Sequence, residues 1–150
     1  MRLTTALVCA LALSRASAQS TTVPLGDLRV TALARTADSG RVLRTSVTLA
    51  NPEKESVKLE IAADCPVVAR VYETRGGRGT PVWDGSLSLC FDMSRNVQIA
   101  GRSSITLSRV DSVAHILGDS LSPGRYRIEA LLRLSRGRRN IPAGTAVLRR

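Results

Sequence analysis

The residues that carry nucleophile chemistry are few, and their spacing decides what they can do. Gly118-Asp119-Ser120-Leu121 spells the Gly-Asp-Ser-Leu signature of a hydrolase nucleophile. That signature works near the start of a large α/β domain, with a histidine base far downstream. Here the chain ends 30 residues after Ser120, at Arg150, and its one histidine, His115, lies upstream. A turn through Ser122-Pro123-Gly124 accounts for these residues better, and His115 reads as a surface or boundary residue. No enzymatic activity is expected.

One histidine also excludes multi-histidine metal centres. Asp84, Asp92, Asp111 and Asp119 stand singly at expected turns, where Asp bonds local backbone. Without an Asp-x-Asp-x-Asp run, neither calcium nor another cofactor is expected.

The cysteines are informative through compartment. Met1-Arg2, the apolar run Leu3 to Leu13, and Ala16-Ser17-Ala18 form a secretory signal peptide over residues 1–18, too short to span a membrane. Val8 argues against a lipid anchor on Cys9. Cleavage before Gln19 leaves Cys65 and Cys90, 20 basic and 12 acidic side chains, and a net charge of +8. An even cysteine count in a secreted or periplasmic chain points to a Cys65–Cys90 disulfide. Closing that 25-residue loop is worth about 3–4 kcal/mol.

Two basic features are candidate interaction sites. Arg75-Gly76-Gly77-Arg78-Gly79-Thr80 is a Gly-rich loop offering Arg75 and Arg78 to a trypsin-like proteinase. Its three glycines make it a better substrate than inhibitor, because an inhibitory loop must be rigid before it binds. Arg136, Arg138, Arg139, Arg149 and Arg150 give the C-terminus a basic edge that can steer the chain to an anionic envelope component. The same charges also guard a strand edge against strand addition. Nucleic acid is a poor partner, since single-strand binding needs stacking rings and aromatics are 3% of the chain.

The elements that must carry these residues have period two. Leu28, Val30, Ala32 and Ala34 alternate with Arg29, Thr31, Leu33 and Arg35, and similar alternation runs through Leu43–Leu49, Val57–Ala62 and Tyr126–Arg133. Shorter strands are expected at Val67–Glu73, Pro81–Asp84, Val97–Ile99, Ile105–Arg109 and Thr145–Leu148. Turn residues break these runs every 8–12 residues or so, the rhythm of an all-β sandwich or barrel. One short helical turn is expected over residues 111–117, N-capped by Asp111. Residues 19–150 then form one domain. Trp83, the only tryptophan, is either an exposed anchor or a core ring beside the disulfide; the scarcity of other rings favours the core.

Thr48–Asn51 with Pro52, then Val57-Lys58-Leu59-Glu60-Ile61, Val71-Tyr72, a Gly-rich turn, Pro81-Val82-Trp83 and Leu121-Ser122-Pro123-Gly124-Arg125-Tyr126 occur in an order that resembles BsuPI-type proteinase inhibitor domains. The resemblance covers about residues 42–134 of the sequence. It implies an immunoglobulin-like antiparallel β-sandwich, here of about seven to nine strands. It also implies a protein partner, possible targets being serine proteinases. The chain departs from the family in its signal peptide, in Asp84-Gly85-Ser86 after the tryptophan, and in Cys65 and Cys90. Two functions follow: an exported, non-catalytic binding domain that inhibits a proteinase, or an envelope structural or adhesive module using the basic edge.

Overall fold

The computed structural model describes residues 21–75, 79–88, 90–91 and 93–150. The expected signal peptide and Arg78 lie outside the described residues. Among them the chain forms an immunoglobulin-like antiparallel sandwich of two sheets. Sheet A has the order β1 (Thr22–Leu25), β2 (Leu28–Ala37), β3 (Val42–Ala50), β8 (Ser104–Ser112). Sheet B runs β6 (Trp83–Asp84), β5 (Val67–Glu73), β9 (Gly124–Leu134), β4 (Val57–Ala62), β7 (Ser94–Ile99), with β10 (Gly137–Leu148) on the other side of β9. The chain changes sheet after β3, after β7 and after β8, which is a Greek-key connection.

The alternation read in the sequence becomes two inward faces. Val30, Ala32 and Ala34 of β2 and Leu43, Val47 and Leu49 of β3 meet Val67, Ala69 and Val71 of β5 and Ile128, Ala130 and Leu132 of β9 in one cluster. Two corners are pinned by polar groups. The Tyr126 hydroxyl donates to the Ser122 carbonyl four residues back, the tyrosine-corner bond of immunoglobulin-type sandwiches. Asn51, 2% exposed, donates to the carbonyls of Glu55, Ile99 and Ala100 and accepts from the Glu53 amide. One side chain thereby satisfies the backbone of both the β3–β4 and β7–β8 turns. Gly101 completes that corner, since a Cβ there would stand 1.8 Å from the Lys54 carbonyl oxygen.

Several expectations are corrected. Among the described residues there are ten strands: β6 falls inside the strand expected at Pro81–Asp84, and β1 is a short addition that pairs where weak patterning hid it. The last strand begins at Gly137 rather than Thr145; a register shift between Pro142 and Gly144 interrupts its alternation. The helical turn, α1, spans Val113–Leu117, with Ser112 at its cap. Asp111 is not the cap: it lies in β8, buried, with Oδ1 2.8 Å from Nε of Arg109.

Candidate functional site

Cys65 and Cys90 are bonded, as the compartment argument expected. The bridge does not join the two sheets. Leu131 of β9 pairs with Val68 of β5, and both alternate away from the main core. They are nevertheless only 1% and 0% exposed, because with Cys65 and Cys90 they form a second small cluster. The disulfide therefore holds the segment Gly85–Met93 against sheet B.

The described residues of that segment are fastened at several points. At its start, a 3-10 turn over Gly85–Leu87 is capped by Asp84, whose Oδ1 accepts from the amide and hydroxyl of Ser86. Asp84 Oδ2 sits 2.9 Å from Nε of Arg70 on β5. Burial pushes the Asp84 carboxyl up, but the Ser86 bonds and the Arg70 guanidinium outweigh it and hold the group below the ordinary carboxylate range. Gly85 lies so close to β5 that a Cβ would stand 3.0 Å from the Ala69 carbonyl oxygen. Further on, Nη1 of Arg109 reaches Cys90 Sγ at 3.6 Å. The Phe91 amide donates to Asp64 Oδ2 at 3.3 Å, and the Ala63 amide donates to the Met93 carbonyl at 2.7 Å.

Among the described residues of this segment, three large apolar side chains are exposed. Leu87 is 86% exposed, Phe91 71% and Met93 67%. Leu87 also borders a groove of about 790 Å³ with Val82, Trp83, Asp84, Arg70 and His115. Trp83 forms one wall: it is half-buried against the main core, and its ring meets His115 edge-on with centroids 6.2 Å apart. It does not belong to the cluster at the disulfide, so only the core half of that expectation holds. Composition did not single out this segment, because apolar residues in a β protein are assigned to the core by default. The Asp-Gly-Ser departure and Cys90 were the available signals.

The other candidates are dispersed. Arg75 is exposed just beyond β5, within the loop that the Cys65–Cys90 bridge closes. The expected basic edge is divided. Arg136, Arg138 and Arg139 stand exposed at the β9–β10 turn, where Arg136 and Arg138 line a cleft of about 500 Å³ together with Glu60, Ser94 and Arg133. Bonds from Ser94 and Ser135 hold the Glu60 carboxyl below its ordinary range, and the Arg136 charge acts in the same direction. Arg149 and Arg150 are ten residues further along an extended strand, about 33 Å away. There they fasten the C-terminus: the Arg149 amide donates to the Gly40 carbonyl at 3.0 Å, and Arg150 Nη2 donates to the carbonyls of Gly118 and Leu121 at 2.7 and 3.2 Å. The Gly-Asp-Ser-Leu run is thus a turn closed by Arg150. His115 and Ser120 are both exposed and share no hydrogen bond.

No protein-family profile matches the chain, and no curated protein does either. Among solved structures, the chain is similar to a β-glucosidase from Listeria innocua in complex with gluconolactone at 14% identity and a TM-score of 0.36, covering 87% of this chain and 16% of that one. It is similar to the β-glucosidase EmGH1 from Erythrobacter marinus at 14% identity and a TM-score of 0.40, with 87% and 16% coverage. The corresponding values for β-glucosidase 3B from Thermotoga neapolitana are 12% and 0.36, with 85% and 16% coverage. The chain therefore spans about one sixth of the length of these enzymes.

Proposed function

We propose that this chain is an exported, non-catalytic binding domain that inhibits a serine proteinase through the segment Gly85–Met93. One observation carries the reading: Leu87, Phe91 and Met93 are 67–86% exposed on a segment held by a disulfide and by bonds at both ends. Exposed apolar side chains mark a partner's place, and a segment ordered in advance loses little entropy on binding. The order of motifs shared with BsuPI-type domains supports the same reading. Leu87 and Phe91 suit enzymes of chymotrypsin or subtilisin type, whose specificity pockets take apolar side chains, better than trypsin. The exported setting rests on residues 1–18 and on a disulfide suited to an oxidising compartment.

Titration of the purified, oxidised protein against trypsin-, chymotrypsin- and subtilisin-type proteinases tests this, with intact mass read from the same samples. The expected result is stoichiometric loss of chymotrypsin or subtilisin activity with the segment uncut. Leu87→Asp and Phe91→Asp should each weaken inhibition by tenfold or more, roughly 1.4 kcal/mol. Full proteinase activity with cleavage inside Gly85–Met93, or after Arg75 or Arg78, would sink the inhibitor reading.

A second reading rests on Arg136, Arg138 and Arg139, exposed together at one end of the sandwich. In it the chain is an envelope module that holds an anionic component by charge.

A further inference from the structure

An open sheet edge invites another strand, and among the described residues β8 is the longest edge strand of this sandwich that exposes no charged side chain. At the far side of sheet A, β1 has four residues and contains Pro24. In sheet B, β6 has two residues, β7 has six and carries Arg95, and β10 combines Arg138, Arg139, Pro142 and a register shift. The remaining edge is β8. It pairs with β3 from Ser104 to Ser112 with no register shift, and among the described residues no strand lies on its other side. β8 contains no proline, glycine or lysine. Its exposed residues are Ser104, Thr106, Ser108, Val110 and Ser112, all uncharged, and Val110 is 51% exposed. Its two charges, Arg109 and Asp111, are paired with each other on the opposite, half-buried face.

We infer that β8 pairs with β8 of a second copy, antiparallel about a two-fold axis at Ser108, joining two A sheets into one. The strand is complementary to itself in that register. Ser104 lies opposite Ser112, Thr106 opposite Val110, Leu107 opposite Arg109 and Ile105 opposite Asp111, so no like charges face each other directly. Charge elsewhere also favours this side. The basic strand β10 packs beside β2, on the opposite flank of the sandwich from β8. Two copies joined at β8 thus keep their Arg-rich flanks well beyond a screening length of about 10 Å. A strand edge buries less than the roughly 1,600 Å² of a standard interface, so the dimer is weak, dissociating at about 10–100 µM.

Sedimentation velocity of the purified oxidised protein from about 5 to about 500 µM tests the inference. The mass should move from monomer toward dimer across that range. Ser108→Lys and Ser108→Glu each place like charges across the axis and should weaken association at least about tenfold. Both substitutions are on an exposed position, so circular dichroism should remain that of the parent. An equimolar mixture of the two variants should regain the dimer, an outcome that damage to the fold cannot produce. A monomer at every concentration would overturn the inference, as would undiminished dimerisation of either variant. β8 amides protected only when an extended peptide of another protein is added would also overturn it, giving the edge to a different occupant. Because the readout is mass, this result is independent of the proteinase titration.

Discussion

Asp84 shows how one side chain ties chemistry to shape. Its carboxylate caps the turn that starts the exposed segment and pairs with Arg70 on the neighbouring strand. Its folded-state pKa is lowered, so the unfolded chain, with an Asp near 3.9, takes up a proton first as the solution is acidified. The stabilisation is therefore present above about pH 4 and is lost as the pH falls through the folded value. Urea unfolding between about pH 5 and pH 2 should show part of this loss, and Asp84→Asn should lower stability at neutral pH while flattening the acid arm. An unchanged acid arm in the variant would mean that Asp84 contributes nothing to it. Other informative residues were visible beforehand only as types. Asn51 before a proline announced a turn, but not that its amide would serve carbonyls nearly fifty residues away.

Among the elements, the segment Gly85–Met93 depends most on a single covalent bond. The disulfide covers Val68 and Leu131, which alternation alone would place on an open face. The double variant Cys65→Ser, Cys90→Ser should lose about 3–4 kcal/mol in denaturant unfolding, from loop closure. It should also lose inhibition, because the segment would then have to be ordered at the moment of binding. Unfolding within about 1 kcal/mol of the parent would deny the bridge this role. The strands themselves were legible where period two was clean, as in β2, β3, β4 and β9. β10 was read too short because its bulge shifts the alternation midway. The Asp111 cap was misassigned because β8 continues to Ser112, which a local capping rule does not foresee.

Across the whole molecule, the net charge is distributed by the strand directions. Arg136, Arg138 and Arg139 lie at one end of β10, and Arg149 and Arg150 at the other, bound to backbone carbonyls. Retention on anionic vesicles, released by about 0.5 M salt, should disappear when the first three are replaced by Ser. The Arg149→Ser, Arg150→Ser variant should retain that binding but unfold at a lower temperature, having lost the bonds to Gly118 and Leu121. Equal loss of retention in both variants would contradict the division of the basic edge.

By itself, the sequence determined the all-β class, the disulfide partners and most of the inward residues. Each of these follows from local periodicity or from counting, and neither depends on which strands become neighbours. Only the tertiary structure decided that Leu87, Phe91 and Met93 stand outside, that five C-terminal arginines form two separate groups, and that β8, among the described residues, is the longest edge strand with no exposed charge. Those properties belong to pairing order and to the path of one covalently held segment, which join residues far apart in the chain. Alternation says that a side chain faces one side of its strand; the neighbouring strands and loops decide whether that side is covered.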